Sequence, residues 1–185
     1  VEGADCLVQL VPSTLDYGLA TPWTEHIMTT ALVNIGSTTC AYHSALTDDC
    51  EPNQPCEVSP DAEMASSSSA TFSISDEPEA GTPLAPGESL PIEVMFTAPE
   101  AGLTITPHVG MVRARVTSGD DALVTVHPSA SSWVTLPNLM AEVGAGRLEL
   151  TPPELDFQLV EIGCISEPIV MTGTNVGVAH LEIRG

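Results

Sequence analysis

The most reactive side chains in this 185-residue chain are five cysteines: Cys6, Cys40, Cys50, Cys56 and Cys164. Thiols pair, ligate a metal or act as nucleophiles, and spacing separates the three. The stretch "CEPNQPC" sets Cys50 and Cys56 six positions apart in a polar region with few apolar residues. A bridge there closes a short loop, which the chain-entropy account values at roughly 2 kcal/mol. Pairing is therefore expected among Cys40, Cys50 and Cys56, with Cys50–Cys56 favoured. A zinc site calls for C-x-x-C spacing or histidines close by; the spacing is absent and the nearest histidine is His43. Cys6 and Cys164 stand apart, and each is expected to be unpaired or to find a partner outside this sequence. The odd count leaves one thiol over.

Carboxylates suggest a second chemistry. The segment "TDDCEPNQPCEVSPDAEMASSSSA" carries Asp48, Asp49, Glu51, Glu57, Asp61 and Glu63, and the turn "SGDD" adds Asp120 and Asp121. Calcium takes six to eight oxygens from one tight constellation. Asp48, Asp49, Glu51, Asp120 and Asp121 are weak candidates, because the EF-hand order is missing and solvated acidic loops look the same. No other cofactor is expected. The histidines at 26, 43, 108, 127 and 180 show no metal-ligand spacing, and no G-x-S-x-G elbow accompanies the serines. A poised acid or base needs a pocket to work in, and a small filled sandwich offers no obvious one. The chain is therefore expected not to be an enzyme.

The elements that carry these residues are strands. Aromatic content is 4% and apolar content 43%, enough for a core without general disorder. "SLPIEVMFTAP" puts Leu90, Ile92, Val94 and Phe96 on one face at period two. "GMVRARVTSG" points Val112, Ala114 and Val116 inward and Arg113 and Arg115 outward. "LVQLV", "LDYGLA", "HIMTTALVNIG", "AYHSAL", "ATFSI" and "ALVTVHP" complete a set of seven or eight short strands. No amphipathic helix pattern competes. An all-β immunoglobulin-like sandwich over residues 1–130 follows, with a cysteine-bearing acidic insertion at 47–69.

Two segments then repeat. "VPSTLDYG" and "TPPELDFQ" align Pro12 with Pro152, Leu15 with Leu155 and Tyr17 with Phe157; "TTALVNIG" and "VMTGTNVG" align Asn34 with Asn175 and Gly36 with Gly177. The offsets are 140 and 141 residues. The reading is a first domain, a linker or interdomain segment at 131–150, and the opening strands of an incomplete second similar domain at 151–185.

The P-x-x-LD(F/Y) segment, the N-x-G turn and "LAPGESLPIEVMFTAPEAG" resemble the ASH/MSP-like immunoglobulin-type domains, above all the bacterial choice-of-anchor D domains found in repeated arrays. The resemblance runs from Val11 to Pro128, and again from Thr151 to Ile183 with Gln158 standing where the first copy has Gly18. It implies a bacterial, secreted or surface-associated module with a structural or adhesive role, whose partners are further domains of the same chain or neighbouring copies. Two other readings stay open: a module that binds protein or carbohydrate, and an accessory domain of a secreted enzyme.

Charge excludes other partners. Four arginines and no lysine face 25 acidic residues, a formal charge of −21. Phosphate backbones and anionic membrane surfaces repel such a chain. No apolar run is long enough to span a bilayer as a helix. An oxidising compartment fits the cysteines. A two- or three-stranded piece with one bare apolar face is not stable alone, so the second domain is expected to be completed by more of the parent chain or by another chain, or else to be a divergent minimal module that closes early.

Overall fold

The computed structural model describes residues 6–52, 56–57, 71–117, 123–126, 134–135, 138–158 and 162–184. Strands form the regular structure: β1 (Val8–Val11), β2 (Leu15–Ala20), β3 (Glu25–Asn34), β4 (Cys40–Cys50), β5 (Cys56–Glu57), β6 (Phe72–Asp76), β7 (Pro83–Leu84), β8 (Ser89–Thr97), β9 (Thr106–Thr117), β10 (Leu123–Val126), β11 (Val134–Thr135), β12 (Leu139–Val143), β13 (Leu148–Thr151) and β14 (Thr172–Asn175). The fold is all-β and sandwich-like. One sheet runs β1-β3-β8-β6; the other runs β2-β12-β9-β4-β7, with β10 also on β9.

Alternation fixes which face each strand buries. Ile92, Val94 and Phe96 of β8 are fully buried, as are Val112, Ala114 and Val116 of β9. They join Leu10, Leu32, Leu15, Tyr42, Phe72 and Leu139 in one core shared by both sheets. Rings set its centre: Tyr17 lies 5.9 Å from Phe72 and 5.5 Å from Phe96, and those two are 5.1 Å apart. Such tilted contacts add a little beyond area burial. The Tyr17 hydroxyl donates to the Val94 carbonyl at 2.7 Å, crossing from one sheet to the other.

One expectation needs correcting. Arg113 is buried at 6% exposure and does not face water. Its Nη2 lies 2.6 Å from Asp48 Oδ2, and that pairing makes burial tolerable. The segment 131–150, expected to be a linker or interdomain segment, contains a strand of the second sheet. Leu139–Val143 pairs parallel with β2 and antiparallel with β9, inside the second sheet. Its Leu139, Ala141 and Val143 are core residues. Asn138 secures the entry: its Oδ1 accepts from Val112 N at 2.9 Å, and its Nδ2 donates to Ser13 O at 3.0 Å. At the start of the 47–69 segment expected as an acidic insertion, β4 continues through Cys50.

The repeated segments fold alike. Antiparallel β13 and β14 pair Leu148 with Asn175 and Thr151 with Thr172; β1 and β3 pair Val8 with Asn34 and Val11 with Ala31. The residue pairs correspond at the offsets read from the sequence. The bonds preceding Pro12 and Pro152 are both cis. Asn34 Oδ1 accepts from Gly36 N at 2.9 Å, as Asn175 Oδ1 does from Gly177 N at 3.0 Å. Gly18 and Gln158 share the left-handed conformation, φ 64° and 55°, each with its N–H bonded to the aspartate two residues before. That local hydrogen bond lets glutamine occupy a position usually left to glycine.

Candidate functional site

Near β4 the structure brings together residues that the sequence singled out. β4 ends at Cys50, which is bridged to Cys56 with a Cα–Cα distance of 5.2 Å. Buried Cys56 opens β5, which pairs with β11. Cys40, at the other end of β4, is joined to Cys6 with Cα atoms 5.5 Å apart. Cys6 was expected to lack a partner here. The backbone explains the difference: Leu7 O accepts both Ile35 N and Gly36 N, which draws the start of the chain against the turn before β4. Among the described residues Cys164 is the free thiol, and it is exposed.

Between the two bridges, β4 presents Asp48 to Arg113, while Asp49 Oδ2 accepts weakly from Thr71 Oγ1 at 3.5 Å. Asp48 is thus held by a guanidinium and not turned toward an open cation site. Glu51 is exposed. Asp120 and Asp121 lie outside the described residues, as do Asp61, Glu63, His127 and the four-serine run. Among the described residues, no three histidine, cysteine or acidic side chains converge as metal ligands. Burial lowers the His108 pKa, with Asp49 pulling it back up; its ring sits 6.1 Å from Phe96.

One constellation escaped the sequence reading. A β-bulge in β4 falls between Tyr42 and Ser44. Glu77, from the loop after β6, fills it: its Oε2 accepts from the Tyr42 hydroxyl and, at 2.7 Å, from Ala45 N. Burial raises the Tyr42 pKa strongly, and the hydrogen bond and charge of Glu77 raise it further. A carboxylate bonded to a phenol and a backbone amide holds the bulge shut. This is a structural pin, and "SDEPE" gave no sign of it.

Apolar residues that are buried in the first unit have exposed counterparts in the repeated segment. Leu10 is 3% exposed and its counterpart Leu150 is 40%; Leu15 is 1% and Leu155 is 38%. Phe157, the counterpart of Tyr17, is also open to solvent. The disulfide has no equivalent there. Gly146 and Leu181 occupy the positions of Cys6 and Cys40, and a Cβ on Gly146 would lie 3.2 Å from the Leu181 Cβ.

No protein-family model matches this chain, and no curated protein matches it. Among solved structures it is similar to the secreted serine protease VesC from Vibrio cholerae, at 12% identity and a TM-score of 0.40, over 71% of this chain and 22% of that one. It is similar to the Vibrio cholerae VesB protease at 13% identity and a TM-score of 0.41, over 75% and 31%. The ASH / PapD-like domain 7 of human CEP192 shares 12% identity at a TM-score of 0.42, over 77% of this chain and 87% of that domain. The chain thus spans less than a third of the length of either protease. No helix among the described residues is long and apolar enough to cross a membrane.

Proposed function

We propose that this chain is a non-catalytic stretch of a longer secreted or surface-exposed bacterial protein: one immunoglobulin-like unit and the front of a second, serving as a spacer in a tandem array. The observation that carries the reading is the duplicated hairpin. Strand register, asparagine turn and left-handed residue recur at offsets of 140 and 141 residues. A duplicated fold with a duplicated apolar face is what tandem modules require. The exposed Leu150, Leu155 and Phe157 are then the inner face of a second sandwich whose other strands are supplied by more of the parent chain. Two disulfides favour an oxidising compartment. The resemblance to choice-of-anchor D modules points the same way. A charge of −21 keeps neighbouring rods apart and soluble.

The test is to extend the chain to the end of the second period. The 185-residue chain is expected to bind a fluorescent apolar dye and to exchange the β13–β14 amides quickly. The extended chain is expected to lose the dye and protect those amides. Unchanged dye binding and exchange would remove the second unit from the reading.

A further inference from the structure

The passage from the first unit to the second contains almost no free chain. β12 ends at Val143, and Gly144 N still donates to Ala20 O at 3.2 Å, continuing the pairing with β2. The next residue, Ala145, belongs to both sides. Its N–H bonds to Gly102 O of the first unit at 3.3 Å, and its carbonyl accepts from Val178 N at 3.0 Å and Ala179 N at 3.3 Å in the second. Arg147 O then accepts from Val176 N at 2.8 Å. A flexible tether leaves its backbone groups to water; here the bonds run on through the junction.

Side chains close the same point. A Cβ placed on Gly144 would lie 2.7 Å from Val178 Cγ2, 3.5 Å from Leu19 Cδ1 and 3.9 Å from Ile105 Cγ1. Two of those side chains come from the first unit and one from the second, and all three keep an exposed side, Leu19 and Ile105 nearly half of their surface. Gly144 is therefore the floor of a small apolar contact between units, and any side chain there would push Val178 away. We infer that the joint is stiff: the first unit's end, formed by Leu19, Ile105 and the Gly102 carbonyl, is a docking surface for the 176–179 turn of the unit that follows, and it holds the two in one mutual orientation. The inference builds on the two-unit reading, and it sets the geometry of the spacer as a rod and not a string.

Spin-label distances test it in the whole 185-residue chain. In a Cys164→Ser background, labels at Ser75→Cys and Thr174→Cys report across the joint, and labels at Gln9→Cys and Ser75→Cys report within the first unit. The expected result is an inter-unit distance distribution about as narrow as the intra-unit one. Gly144→Val and, from the opposite side, Val178→Asp are each expected to broaden or shift the inter-unit distribution while leaving the intra-unit one alone. A broad inter-unit distribution in the unaltered joint, or no response to either substitution, overturns the inference. If the extension experiment still buries the second unit's face, that failure belongs to the joint alone and the two-unit reading stands.

Discussion

At the scale of single residues, the duplication provides a controlled comparison. Asn34 and Asn175 make the same turn, but Asn34 is fully buried and Asn175 is exposed. Asn34 Nδ2 also donates to Leu84 O at 2.9 Å, and its removal strands several polar groups away from water. Asn34→Ala is expected to cost about 2 kcal/mol or more, and Asn175→Ala less than about 1 kcal/mol, because water replaces the lost partners only at the exposed site. Thermal unfolding of the two variants measures the difference; equal shifts would contradict the assigned burial. The tyrosines give a pH test. The chain has two, Tyr17 and Tyr42, and burial raises both above the ordinary 10.0. A raised folded-state pKa means that the neutral phenol is favoured in the fold. The contribution is complete below pH 10 and is lost as pH climbs beyond it, since the unfolded chain releases those protons first. Phenolate absorbance is therefore expected to appear above the normal tyrosine range and together with loss of the β-sheet signal. A simple titration centred near 10 in folded protein would refute it.

Among the elements, β12 carries the sharpest expectation. It lies between β2 and β9 and contributes Leu139, Ala141 and Val143 to the core. A fragment ending at residue 130 lacks a central strand and leaves two ladders and Leu15 open, so it is expected not to unfold cooperatively. One ending at residue 146 is expected to do so. Circular dichroism melts of the two decide it, and a cooperative melt of the shorter piece would show that β12 is dispensable. This strand also marks how far the sequence could be read. β8 and β9 were legible because their alternation is long and local. The repeat was legible because Pro12, Asn34 and their counterparts keep the same spacing to within one residue. The segment holding β12 could be read only as a linker or interdomain segment, because its alternation uses the small Ala141 and its parallel partner β2 lies far back in the chain. The Arg113–Asp48 pair and the Glu77 pin were hidden for the same reason: nothing near Arg113 in sequence says that Asp48 will meet it. Pairing of Cys6 with Cys40 depends on the Leu7–Ile35 contact, which spacing alone does not reveal.

For the whole molecule, a charge of −21 works against compactness. Exposed carboxylates repel over distances that physiological salt shortens to about 8 Å. Melting temperature is expected to rise by roughly a few degrees between low salt and half-molar sodium chloride. A flat or falling trend would place the acids too far apart to matter. The bridge from Cys6 to Cys40 has a further consequence if the chain ever carries a load. A pull arriving near the N-terminus passes through sulfur directly to β4, whatever happens to the strands between. The intervening span, with a sequence separation of 34, would otherwise extend by roughly 110 Å. β1, β2 and β3 are thus shielded from tension, and stretching must begin beyond Cys40. Reduction would lengthen the extensible part of the chain without altering its sequence.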